Sequence, residues 1–139
     1  GHVLRLTDPD GHLVEVVAGQ ACEPAAPAIA DPPRNSVAAR TRLRTALRLA
    51  PGPAQVRRIG HAVLKVRDFR RAEQWYKDRL GFLTSDEVEA APDLPLGAFL
   101  RCDQGEQPVD HHTLFLAQLP GARGLLHAAF EVANLDDLM

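Results

Sequence analysis

The strongest constraint on this chain is a strand written twice. GHAVLKVRDF at 60–69 and LHAAFEVANL at 126–135, overlaid at an offset of 66 positions, put His61 on His127, Ala62 on Ala128 and Val66 on Val132. Leu64/Phe130, Asp68/Asn134 and Phe69/Leu135 match in kind. A repeat at this spacing predicts sister modules that open with the same strand. Alternate residues of a strand share a face, so His61 is expected to side with Val63 and Lys65, and His127 with Ala129 and Glu131. The opposite faces, Ala62/Leu64/Val66 and Leu126/Ala128/Phe130/Val132, are uniformly apolar and are expected to lie under helices. The repeated histidines therefore belong to the less apolar face, where a curved sheet forms an open cup.

The segment between the copies supplies the rest of a module. DFRRAEQWYKDRLGF predicts a helix with Asp68 as cap, Phe69, Ala72, Trp75, Tyr76 and Leu80 on one side, and Gly81 at its end. FLTSDEVEA, GAFLRCD and HHTLFLA read as three strands, with APDLPL and QGEQPVD between them. Residues 59–119 thus form a complete β-α-β-β-β module. Residues 120–139 supply the first strand of a further, truncated module and a helix start capped by Asn134.

At the other end, HVLRLT and HLVEVV flank the turn signal DPDG and predict a hairpin. GHVLRLTDPDG resembles GAFLRCDQGEQ, so residues 1–18 read as the terminal hairpin of an earlier, N-terminal module. Residues 19–58 read as a Pro/Ala-rich interdomain linker with a short helix over 36–50, Ser36 capping it and Pro51 stopping it. The expected fold class is α+β: paired β-α-β-β-β modules forming a curved, mostly antiparallel sheet cup, incomplete in this chain. A helix that opens and does not finish predicts a piece of a longer protein. An exposed sheet edge invites pairing, so a homo-oligomer is expected.

Composition closes off several classes of function. A net charge of −2, with arginines scattered among acids, argues against nucleic acid as a partner. No apolar run approaches the roughly 18–20 residues that span a bilayer, so no membrane partner is expected. GHVLRLTDPDG has neither a basic start nor an apolar signal core. Cys22 and Cys102 lie far apart and in no metal-type spacing, which suits free thiols in the cytoplasm.

Three histidines carry the chemistry. A single strand histidine is ordinarily a satisfied core or rim residue. Equivalent histidines of two modules related by a pseudo-twofold axis can converge, and two neutral imidazoles make half of a metal site. His112 falls in the third strand pattern, pointing with Leu114 and Leu116. His111 points the other way and reads as structural. Spacing alone leaves a metal site and a pair of rim histidines equally open.

GHAVLKVRDFRRAEQWYKDRLGF, GAFLRCD, DHHTLFLA and HAAFEV together resemble the middle of an extradiol ring-cleaving dioxygenase, of the vicinal oxygen chelate or glyoxalase/bleomycin resistance superfamily. The likeness covers residues 58–139, and residues 1–18 as the end of the other half. It implies an Fe(II) enzyme, with Mn(II) as a substitute ion, that opens a catechol-type aromatic diol with O2. By position, it implies His61 and His127 as metal ligands and His112 as a catalytic acid/base. Leu126 stands where relatives often have another histidine, which bears on a secondary substrate contact.

The third ligand implied by the resemblance is a glutamate beyond Met139, so the chain alone is expected to be inactive. Glu15, on the equivalent strand of the earlier module, is the weaker candidate for that role, and Glu131 reads as a pocket-wall or solvated residue. Two further readings share the fold: a Ni- or Zn-dependent lyase or isomerase of the glyoxalase type, which has no need of His112, and a non-catalytic small-molecule-binding module.

Overall fold

The computed structural model describes residues 1–24, 35–44 and 53–132. Strands β1 (His2–Thr7) and β2 (Leu13–Ala18) pair antiparallel as a hairpin. Strand β3 (Val56–Val66), helix α1 (Phe69–Leu80) and strands β4 (Leu83–Ala91), β5 (Leu94–Arg101) and β6 (Leu114–Gln118) follow, then β7 (Gly124–Val132). The last five strands form one sheet in the order β4-β5-β6-β3-β7. Only β3 and β6 are parallel; the other neighbours are antiparallel. This is an α+β architecture with a β-α-β-β-β unit and one added strand. Interior strand β3 is flanked by β6 from its own unit and by β7, its sequence twin.

Helix α1 forms where local signals agree. The Asp68 side chain accepts from the Arg71 amide at 3.1 Å, and Gly81, at φ 71°, donates its amide to Lys77 O at 3.0 Å. A left-handed residue there costs glycine little and other residues more. The helix packs on β5 and β6. Val66, Phe69, Ala72, Tyr76, Ala98, Leu100, Leu114 and Leu116 form the buried core, edged by Ala62 and Leu64. Glu73 is buried on the same helix, a position that the apolar pattern does not mark. Its carboxylate takes hydrogen bonds from Lys77 Nζ at 2.8 Å and from Thr84 Oγ1, and an ion pair from Arg70 at 3.4 Å.

The hairpin is docked on this unit by its turn. Asp8 is 4% exposed and accepts from the amides of Asp10 and His12, from His12 Nδ1 at 2.7 Å and from Tyr76 Oη at 3.3 Å. Asp10, equally buried, accepts from the Arg67 amide at 3.1 Å, and Val14 packs against the core. A DPDG turn would serve any exposed hairpin; here its carboxylates face inward and join two parts of the chain.

Three expectations need amendment. Residues 35–40 close a tight turn through an Asn35–Arg40 bridge, with the Ser36 hydroxyl accepting from the Ala39 amide, so this part of the expected 36–50 helix is not helical. Leu94 to Leu96, read as turn, already belong to β5, and the connection to β4 is only Pro92 and Asp93. The apolar face of β7 is not covered among the described residues, where Leu126 and Phe130 remain exposed. Residues 25–34 of the linker, 45–52 of the expected helix and its stop, and the Asn134 helix start lie outside the described residues. Among the described residues no helix is long and apolar enough to cross a membrane.

Candidate functional site

Register defines the face on which the histidines meet. Val63 is opposite His127 on β7 and Phe115 on β6, and Phe115 is in turn opposite Phe99 on β5. Residues directly opposite in a ladder point to the same side, so these four line the face away from α1. His61 joins them through its partner Ala129, two residues from His127. The Nε2 atoms of His61 and His127 lie 3.2 Å apart, and the two rings meet edge to face at 5.3 Å.

His112 completes the group by a route that strand alternation does not foresee. Leu114 and Leu116 face α1, so a regular strand would carry His112 to the buried side as well. Strand β6 begins only at Leu114, and the chain bends over 111–113. There the Thr113 amide donates to Leu100 O at 2.8 Å, and Thr113 O accepts from the Ala62 amide at 3.0 Å. The His112 ring consequently lies 4.3 Å from that of His61 and 4.7 Å from that of Phe99. His111 is not on the opposite face either. Its ring approaches Phe99 at 5.3 Å, and its Nδ1 lies 3.2 Å from Nδ1 of His112.

The surroundings favour a neutral His112. Partial burial holds its imidazolium below the usual histidine range, and the neighbouring His61 and His111 push the same way. Beside the His112 ring, Phe99 stacks on Phe115 at 4.3 Å. Gly97 makes room for Phe115: a Cβ there would stand 2.9 Å from its ring and 2.2 Å from Leu116 O.

Two histidine nitrogens fit one metal ion. Imidazole nitrogens about 2.1 Å from a common ion and roughly at right angles are about 3 Å apart, which matches the His61–His127 separation. Among the described residues no third metal ligand joins them. Glu15 is not brought there, since its carboxylate pairs with Arg5 at 2.7 Å across the hairpin. Glu131 is neither a ligand nor merely solvated: it accepts from Arg58 Nε at 2.6 Å, and the same guanidinium grips Asp110 through both terminal nitrogens. Arg58 raises no signal in the sequence, because it stands an odd three positions before His61. The register shift between Ile59 and His61 puts it on the histidine face.

Residues 58–139 match the profile of a family described as the Glyoxalase/Bleomycin resistance protein/Dioxygenase superfamily. Over 83 residues the chain is 39% identical to the biphenyl-2,3-diol 1,2-dioxygenase of Paraburkholderia xenovorans (strain LB400), covering 58% of this chain and 26% of that protein. It is 37% identical to the enzyme of the same name from Metapseudomonas furukawaii over the same shares. Metapyrocatechase 2 of Cupriavidus necator is 31% identical over 131 residues, 94% of this chain and 37% of that protein. The chain therefore spans between about a quarter and two fifths of the relatives it matches.

Proposed function

The chain belongs to the Glyoxalase/Bleomycin resistance protein/Dioxygenase superfamily, its relatives are extradiol dioxygenases, and from that premise we propose that it carries the metal-holding part of an Fe(II)-dependent extradiol dioxygenase acting on a catechol-type diol. One observation carries the reading: His61 and His127 present Nε2 atoms 3.2 Å apart, with the His112 ring tilted against that of His61 at 4.3 Å. His61 and His127 would hold the ion, and a carboxylate outside the described residues would complete the set of two histidines and one acid that suits Fe(II). Bound there, the metal supplies a common centre at which an aromatic diol and O2 exchange electrons; Mn(II) could take the same ligands.

The remaining tasks fall to the chain's own side chains. His112, whose surroundings disfavour the imidazolium, would accept a proton from a diol hydroxyl and return it. Phe99 holds one side of its ring, and the stacked Phe99–Phe115 pair offers a flat apolar wall to an aromatic ring. A glyoxalase-type reaction has no use for a third imidazole beside the pair, which favours the dioxygenase reading.

The test is direct. The protein carrying this chain, loaded with Fe(II) and given simple catechols in air, should produce the yellow ring-opened product. Bound iron with no colour from any catechol would overturn the reading.

A further inference from the structure

Each of the three segments that carry the site histidines also carries one member of a single ion cluster. Strand β3 holds His61 and Arg58, β7 holds His127 and Glu131, and the segment before β6 holds His112 and Asp110. Arg58 donates through Nε to Glu131 and through both terminal nitrogens to Asp110. These are contacts between residues 73 and 52 positions apart in the chain. The two carboxylates raise the basicity of the guanidinium, Asp110 foremost, and the guanidinium holds the Asp110 carboxyl below its ordinary range.

All three side chains are about half exposed. Exposed pairs add little to stability on average, so the consequence of this cluster is geometric. The bend that carries His112 has a backbone anchor on its downstream side, where Thr113 bonds to Leu100 and Ala62. Among the described residues no backbone ladder holds its upstream side, and Asp110 is the residue gripped there. A planar guanidinium can seize two carboxylates at fixed angles, which a lysine ammonium cannot.

We propose that Arg58 is a positioning residue: by gripping Asp110 and Glu131 together it ties the His112 bend to β3 and β7, and so sets His112 against the His61–His127 pair. The inference rests on the proposed function for its kinetic consequence but not for its structural one. As a positioning residue Arg58 acts only through His112.

The test uses the complete protein in two forms. In protein loaded with diamagnetic Zn(II), deuterated except at histidine, a cross-peak between the His61 and His112 ring protons reports their contact directly. Arg58→Met should abolish it, Asp110→Asn should do the same, and Glu131→Gln should weaken it while the Asp110 grip survives. In the Fe(II) protein, Arg58→Met and Asp110→Asn should lower kcat for ring opening by about tenfold or more, since an ångström of misplacement can cost that much. KM and bound metal should stay within about twofold, and Arg58→Lys should recover only part of kcat. Asp110→Asn removes one exposed charge and keeps the inference testable should Arg58→Met fail to fold.

An unchanged cross-peak would overturn the inference. So would a kcat loss that merely tracks lost metal, or a lost cross-peak with full kcat. If the unaltered protein opens no catechol, the functional reading fails, and the cross-peak alone still decides the role of Arg58.

Discussion

The Nε2 atoms of His61 and His127 face each other at 3.2 Å although the residues are 66 positions apart. Neighbouring strands β3 and β7 bring them there, with His127 opposite Val63 rather than opposite His61 itself.

Either histidine replaced by alanine should weaken Fe(II) binding by about 100-fold or more, since even the outer partners of a metal ligand are worth about 10–100-fold. Metal content after desalting, read by elemental analysis, checks this. His112→Ala should retain the metal and lose about 100-fold or more in kcat, as expected of a proton-transfer group.

Tyr76 predicts the alkaline behaviour of the fold. Burial, then the charge of Asp8, push its phenol well above the ordinary tyrosine range. The unfolded chain releases this proton near pH 10 and the folded one holds it, so the stabilisation is complete below about pH 10 and is lost as pH rises further. Thermal melts between pH 7 and 11 should show a falling limb that Tyr76→Phe flattens. At neutral pH the same change should cost about 0.5–1.5 kcal/mol for the lost hydrogen bond.

Glu73 has the opposite sign. Burial pushes its carboxyl up, but the hydrogen bonds from Lys77 and Thr84 outweigh that and hold it below its ordinary value. Its stabilisation is present above about pH 4.3, where the unfolded group is ionised, and is lost as pH falls through the lower folded value. Glu73→Ala should cost about 1–3 kcal/mol by removing a buried carboxylate that Lys77 and Thr84 hydrogen-bond. It should also shrink the acid-side loss, both measurable by urea titration at pH 3 to 7.

Gly97 separates packing from chemistry. A methyl there would meet the Leu116 carbonyl at 2.2 Å and the Phe115 ring at 2.9 Å, and backbone cannot step aside as a side-chain tip can. Gly97→Ala should destabilise the protein by about 1–3 kcal/mol or more through overpacking. It should also displace the Phe99–Phe115 stack, visible as changed near-ultraviolet circular dichroism.

Local rules made much of the module readable. Asp68 and Gly81 bracket α1 because a cap and a left-handed terminus are written in single residues. The Ala62/Leu64/Val66 face follows from a period of two. Glu73 was not readable, since a carboxylate on the buried side of a helix becomes tolerable only when Lys77, Thr84 and Arg70 are brought to it. The turn at 35–40 escaped for the converse reason: the Ser36 hydroxyl that can cap a helix closes a tighter turn equally well.

By itself the sequence determined which strand is repeated, that each copy opens on a histidine, and which faces are apolar, because these properties depend on residue type and near-neighbour spacing. The tertiary structure alone decided that His112 turns toward His61, and that Arg58 shares the histidine face and joins Asp110 to Glu131. A bend before β6 and a register shift in β3 break the alternation on which any local reading depends. Contacts between residues 52 to 73 positions apart arise only when β3 lies between β6 and β7.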